Sequence, residues 1–142
     1  IPGHGLSKVD SHNKLPIIKE SINLLNKTDF LPFKKQNSFL AMTAHIVYSS
    51  IDSKNTATHS QKVINIIRKK IGFKNIIMSD DISMKSLKYS ITKNTTQAFN
   101  SGCDLVLHCN GKYKEMLMVA KNSPLLSTFI IKKTSQLLNI IR

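Results

Sequence analysis

Tryptophan is absent, and arginine occurs only at Arg68 and Arg142. The two cysteines, Cys103 and Cys109, are too few for a disulfide framework; they bracket an apolar strand and are expected as free, buried thiols in a cytoplasmic setting. No apolar run approaches the ~20 residues that a membrane-spanning helix needs, so no membrane association is expected. No signal peptide pattern is present, although the chain opens Ile1-Pro2 without a methionine. Glycine and proline are sparse, and neither linkers, repeats nor low-complexity tracts interrupt the chain. Acidic residues are also scarce: 8 against 21 basic ones, a net charge of +13. Such a charge raises nucleic acid or another polyanion as a partner. The distribution argues against it. Lysines stand singly or in pairs (Lys34-Lys35, Lys69-Lys70, Lys132-Lys133) without an arginine-rich stripe. The abundance of Lys, Asn and Ile fits a compositional bias of the source genome, and no nucleic-acid partner is expected.

The 142 residues suit one domain, and 41% apolar content is enough for a core. Residues 1–15 read as a loop turned by Gly3 and Gly5. A short helix is expected over 16–27, with Pro16 in its first turn and Ile17, Ile18, Ile22 and Leu25 on one side. Phe30-Leu31-Pro32-Phe33 is an apolar anchor at a turn. A buried strand over 38–44 ends at His45, and a polar loop continues through Ser60. The spacing of Val63, Ile64, Ile67 and Ile71 predicts a helix over 61–70 with Gly72 as C-cap. A strand comes next over 75–79, then a helix from about Met84 to Asn100 ending at Gly102. A short strand over 104–108 precedes helices over 112–121 and 125–141. Strands alternating with helices, and no hairpin signal, call for a parallel α/β sheet with right-handed crossovers.

The chemistry concentrates at two places. In Asn75-Ile76-Ile77-Met78-Ser79-Asp80-Asp81 an apolar strand delivers two carboxylates to its C-terminal end, where α/β barrels keep their active sites. The plainer reading makes both acids caps at a strand–helix junction. The second place is Pro2-Gly3-His4-Gly5 followed by Asp10-Ser11-His12. Two residues apart in extended chain, Asp10 and His12 share a face, so the carboxylate can orient the imidazole. Met42, Met78 and Met84 are expected in core and strand-end packing. The five histidines and the acids show no metal-ligand spacing.

These segments resemble the catalytic barrel of family 3 glycoside hydrolases, within it the bacterial β-N-acetylglucosaminidases of peptidoglycan recycling. Pro2-Gly3-His4-Gly5 is similar to the end of the family's Lys-His-Phe-Pro-Gly-His-Gly motif, and Asp10-Ser11-His12 with Leu15-Pro16 to its catalytic loop. Asp29-Phe30-Leu31-Pro32-Phe33 resembles an Asp-Leu-x-Pro-Phe element. Met42-Thr43-Ala44-His45 and Ala57-Thr58-His59-Ser60 resemble the next strand and loop, and Gly72-Phe73 through Met84 the nucleophile strand. Ala98 through Asp104 resembles Ala-x-x-Ala-Gly-x-Asp before the last barrel strand. A closed (β/α)8 TIM barrel needs ~250 residues. The resemblance therefore implies that residues 1–142 are the C-terminal half of such a barrel, about three to four βα units, with the first half absent.

The family is retaining, which requires a nucleophile and an acid/base. The resemblance makes Asp80 the nucleophile, His12 the general acid/base and Asp10 the group that orients His12. Asp81 is expected to bind loop amides or cap the following helix. His4 is a candidate sugar contact or a structural bond in its turn. His45 is a candidate for shaping the substrate pocket or for structure alone. His59 is expected at the surface or in a loop, and His108 without a partner. Asn75 stands where the family usually turns with glycine. No metal or other cofactor is implied. The implied substrates are peptidoglycan-derived GlcNAc-anhydroMurNAc muropeptides, and the implied partner is a complementary N-terminal barrel fragment. The groups with which the family grips the pyranose, including the Lys-His just before Ile1, fall outside the chain. An inactive remnant of such an enzyme, or a basic polyanion-binding α/β protein, are the competing readings.

Overall fold

The computed structural model describes residues 1–9 and 14–140; the predicted pair Asp10 and His12 lies outside them. In chain order the elements are β1 (Ile17–Ile18), α1 (Ile22–Lys27), β2 (Leu40–Met42), β3 (Val47–Tyr48), α2 (Gln61–Ile66), β4 (Ile76–Asp81), α3 (Ile91–Ser101), β5 (Leu105–Leu107), α4 (Tyr113–Asn122) and α5 (Thr128–Ile140). The main sheet is parallel, in the order β2-β4-β5. A second, two-stranded parallel sheet pairs β1 with β3. This is the parallel α/β arrangement expected, a section of barrel rather than a closed one.

The central strand shows why the sheet is parallel and covered. Ile76 and Ile77 are adjacent, point to opposite faces, and are both fully buried. One face packs on Val63, Ile64 and Ile67 of the α2 segment, on Ala98 of α3 and on Phe73, in a core that extends to Leu25, Phe30 and Tyr48. Serines start the first three helices: Ser21, Ser60 and Ser90 accept bonds from the amides of Leu24, Val63 and Lys93. After α2 the chain widens into a π-helical turn, Ile67–Ile71, which ends at Gly72 with φ 84°. The end opposite the carboxylates is pinned by Arg68. Its guanidinium donates to the carbonyls of Phe73 and Asn75 and to Asp104, whose Oδ2 also accepts the Ile77 amide at 2.8 Å.

Several sequence expectations are corrected. The helix expected over 16–27 begins only at Ile22. Pro16-Ile17-Ile18 is extended, because its backbone is taken up by β3: Val47 N–H donates to Pro16 O and Ser49 N–H to Ile18 O. The helix expected from Met84 begins at Ile91. The Asn94 side-chain amide holds Ile82 O at 3.1 Å and Tyr89 O at 3.2 Å, fixing residues 82–90 as a loop, and Ser90 caps α3. The polar loop before Ser60 contains β3 and a 3-10 turn at Ala57–His59. Asn75 does not occupy the left-handed region; its side chain instead donates to Ser38 O and accepts from Lys133 Nζ. Met42 is exposed on β2, and Cys109 is exposed while Cys103 is buried, its thiol pushed up to about 12 by burial.

Candidate active site

The two carboxylates sit at the C-terminal end of β4, where the ladder breaks. Met78 pairs with Leu105 and Asp81 with Leu107, so three steps along β4 match two along β5. The extra residue makes a β-bulge around Ser79 and Asp80, which re-aims the side chains at that point. Ser79 Oγ accepts the Leu107 amide at 3.0 Å, satisfying a donor that the regular ladder would have bonded to a carbonyl. Asp80 is half-buried, and its Oδ1 accepts the Asp81 amide at 2.8 Å.

Asp81 is an anchor. Its Oδ1 accepts the amides of Ser83 at 2.9 Å and Cys109 at 3.1 Å, and the Ser83 hydroxyl lies 2.7 Å from both carboxylate oxygens. Burial alone would raise its pKa. The Ser83 and Cys109 bonds, with the nearby His108, outweigh burial and hold the carboxyl below the usual range. The expected bonding to loop amides is thus found, while the helix it was to cap starts well downstream, at Ile91.

His45 is fully buried, and both ring nitrogens are bonded: Nε2 to Asp81 O at 2.8 Å and Nδ1 to Thr58 Oγ1 at 2.8 Å. Burial lowers its pKa, against the opposing pull of the Asp81 carbonyl and the charges of Asp80 and Asp81. His59, expected at the surface or in a loop, does lie in the 3-10 turn before Ser60 but is only 4% exposed; it bonds Asn94 O at 3.2 Å and faces Tyr89. Burial, and then the nearby His45, bring its pKa down to about 4. His108, expected without a partner, bonds Glu115 Oε2 at 3.2 Å.

The N-terminal loop reaches the same end of the sheet. The backbone nitrogen of Ile1 donates to Met42 O at 2.6 Å. His4 is exposed and close enough to His45 to interact with it electrostatically, as Asp80 does, so His4, His45 and Asp80 share one neighbourhood. What shapes this loop is Asp29. Its Oδ1 accepts the Leu6 amide at 3.1 Å, and a Cβ on Gly3 (φ 137°) would stand 2.6 Å from its backbone oxygen. Tyr48 donates its hydroxyl to Gly3 O. Asp29, Tyr48 and Ser79 were not singled out as site residues from the sequence. For Asp29 a signal existed, an acid opening the Asp-Phe-Leu-Pro-Phe element; for Ser79 there was none. Among the described residues no group of three or more His, Cys, Asp or Glu side chains could hold a metal ion.

The profile of the Glycosyl hydrolase family 3 N terminal domain matches residues 1–140. A β-hexosaminidase of Neisseria meningitidis serogroup C is 36% identical over 114 residues, covering 77% of this chain and 32% of the relative. The crystal structure of native NagZ from Neisseria gonorrhoeae superposes with a TM-score of 0.80 at 31% identity, over 94% of this chain and 40% of that one. The same enzyme in complex with N-trifluoroacetyl-D-glucosamine superposes with a TM-score of 0.80 at 29% identity, over 95% and 40%. The chain spans about a third of the length of the curated relatives it matches.

Proposed function

Because the chain belongs to the family 3 glycosyl hydrolases, by its N-terminal-type domain, we propose that it is the C-terminal half of a barrel that removes terminal β-linked N-acetylglucosamine. The observation that carries this reading is Asp80, set in a bulge at the C-terminal end of the central parallel strand. That is the end at which barrel enzymes keep their chemistry. The relatives' names and the glucosamine derivative bound by the gonococcal enzyme support the sugar assignment.

In the proposed mechanism, Asp80 attacks the anomeric carbon and forms a glycosyl-aspartate ester as the bond to the leaving oxygen breaks. Its Oδ1 is already committed to the Asp81 amide, which leaves Oδ2 for attack. His12, oriented by Asp10, gives its proton to the leaving oxygen. It then takes one from the water that hydrolyses the ester, a double role suited to imidazole, whose unperturbed pKa is ~6.5. His4 serves as a further contact for the sugar. The natural substrates are GlcNAc-anhydroMurNAc muropeptides, and the setting is the bacterial cytoplasm.

Residues upstream in a complete enzyme would close the barrel against β2 and β5. On the β2 side, Leu40 and Met42 are each 38% exposed and border a cleft of about 390 Å³ with Ile1, Phe33 and Phe73. An open parallel edge of this kind is a place for another strand. The test is hydrolysis of a chromogenic β-N-acetylglucosaminide near neutral pH by this chain, alone and assembled with a matched N-terminal half. Activity in the assembly, lost in Asp80→Asn, supports the reading. No turnover in a complex shown to be folded overturns it and leaves an inactive remnant.

A further inference from the structure

We propose that His45 is a positioning residue for Asp80, acting through the backbone of Asp81. The inference rests on the reading of Asp80 as nucleophile and adds how its carboxylate is held.

Asp81 lies between the two. Its carbonyl accepts from His45 Nε2 at 2.8 Å and from the Met84 amide at 3.1 Å, and its own amide donates to Asp80 Oδ1 at 2.8 Å. The residue is therefore fixed on both sides of its Cα, and one of those bonds ends on the reacting carboxylate. The bulge gives these bonds their importance. A regular ladder would set the direction of Asp80 by strand pairing, whereas here the pairing skips over it between Met78 and Asp81. The ladder resumes only past Asp80, where Ile82 N–H donates to Leu107 O at 2.9 Å, and His45 reaches across from the segment after β2 to hold the Asp81 carbonyl from the other side.

The tautomer is set by the partners. A carbonyl can only accept, so Nε2 carries the proton toward Asp81 O. In the neutral ring Nδ1 then accepts, and the single Thr58 hydroxyl proton goes to it at 2.8 Å in preference to Ala44 O, which lies farther off at 3.3 Å. Thr58 Oγ1 accepts in turn from Thr43 Oγ1 at 2.9 Å. A directed chain thus runs from Thr43 through Thr58 and His45 to Asp81, with the Thr43, Thr58 and His45 side chains 2% exposed or less. A buried imidazole with both nitrogens engaged has one available orientation, which suits a fixed support.

The test uses the complete barrel, this chain assembled with its N-terminal half, and a chromogenic β-N-acetylglucosaminide. A substitution that displaces a catalytic group by ~1 Å without touching substrate costs on the order of 10²-fold in rate. His45→Leu is expected to lower kcat by that order with KM little changed. His45→Gln, whose amide nitrogen can still donate to Asp81 O, is expected to recover most of the loss. Equal loss in both variants would assign His45 to packing and overturn the inference. So would full kcat in His45→Leu alongside an inactive Asp80→Asn. An active Asp80→Asn would instead overturn the nucleophile reading. Independently of turnover, nitrogen NMR of the isotope-labelled chain should show the Nε2-protonated tautomer at His45; the Nδ1-protonated form would overturn the inference.

Discussion

Ser79 Oγ receives the amide of Leu107 at 3.0 Å, and through this one bond a side chain takes a place in the β4–β5 ladder. Ser79 is fully buried. Removing its hydroxyl leaves the Leu107 amide without that acceptor, a loss of about 1–3 kcal/mol. Ser79→Ala should therefore lower unfolding free energy by that amount in urea titration, with the denaturant slope unchanged. An unaltered midpoint would mean that the bulge is held by other bonds.

The loop bearing His4 should depend on Asp29. A methyl group at Gly3 would collide with the Asp29 backbone oxygen, and the φ of 137° is one that alanine resists. Gly3→Ala should destabilise by about 1–3 kcal/mol, the usual cost of a strained backbone position. Asp29→Ala should free the Leu6 amide and speed its hydrogen exchange. Unchanged protection at Leu6 would contradict the assignment.

Acid should destabilise the fold through its buried histidines. His59 titrates at about 4 in the folded chain against 6.5 ordinarily, because burial disfavours the imidazolium. Below 6.5 the unfolded chain therefore binds the extra proton, and stability falls as pH falls from about 6.5 toward 4. The total is about 3 kcal/mol for this group. Asp81, held below its usual value, adds loss in the same direction at lower pH. His59→Phe should flatten the upper part of the profile, measured as urea midpoints across pH. A slope unchanged from the parent would contradict the prediction.

The Arg68–Asp104 pair should matter for stability rather than chemistry, since it lies at the end of the sheet away from Asp80. Arg68→Leu strips donors from Phe73 O, Asn75 O and Asp104 together. A charge-assisted bond contributes about 1.5–3 kcal/mol, and the partly exposed setting favours the lower figure. Thermal unfolding should shift down, while kcat of the assembled barrel at low temperature stays at parent level.

The strand that delivers Asp80, the parallel sheet and the Gly72 and Gly102 helix ends were legible because each has a local cause: an apolar run, a lack of hairpin turns, a glycine after periodic residues. What was not legible depends on partners distant in sequence. Pro16-Ile17-Ile18 carries helical spacing, yet pairing with β3 makes it extended. Residues 84–90 carry no helix breaker, yet the Asn94 side chain ties their backbone into a loop. His59 looks polar and exposed, but its bond to Asn94 O is formed only once α3 packs beside it. The bulge at Ser79 and Asp80 is a difference of register between two strands, so no single segment encodes it. Asp80, Asp81, His4 and His45 stand together at one end of the sheet, a grouping legible in the motifs that carry them. The bonds of His45 within that group emerged only from the fold.

The central claim is that Asp80 forms the bond to the sugar. A fluorinated N-acetylglucosaminide that forms its ester quickly and releases it slowly would trap that bond in the assembled barrel. Peptide mass spectrometry should then find the sugar's added mass on the fragment containing Asn75 to Met84, localised to Asp80. An adduct on another residue, or steady turnover of the substrate with no adduct formed, would contradict the account.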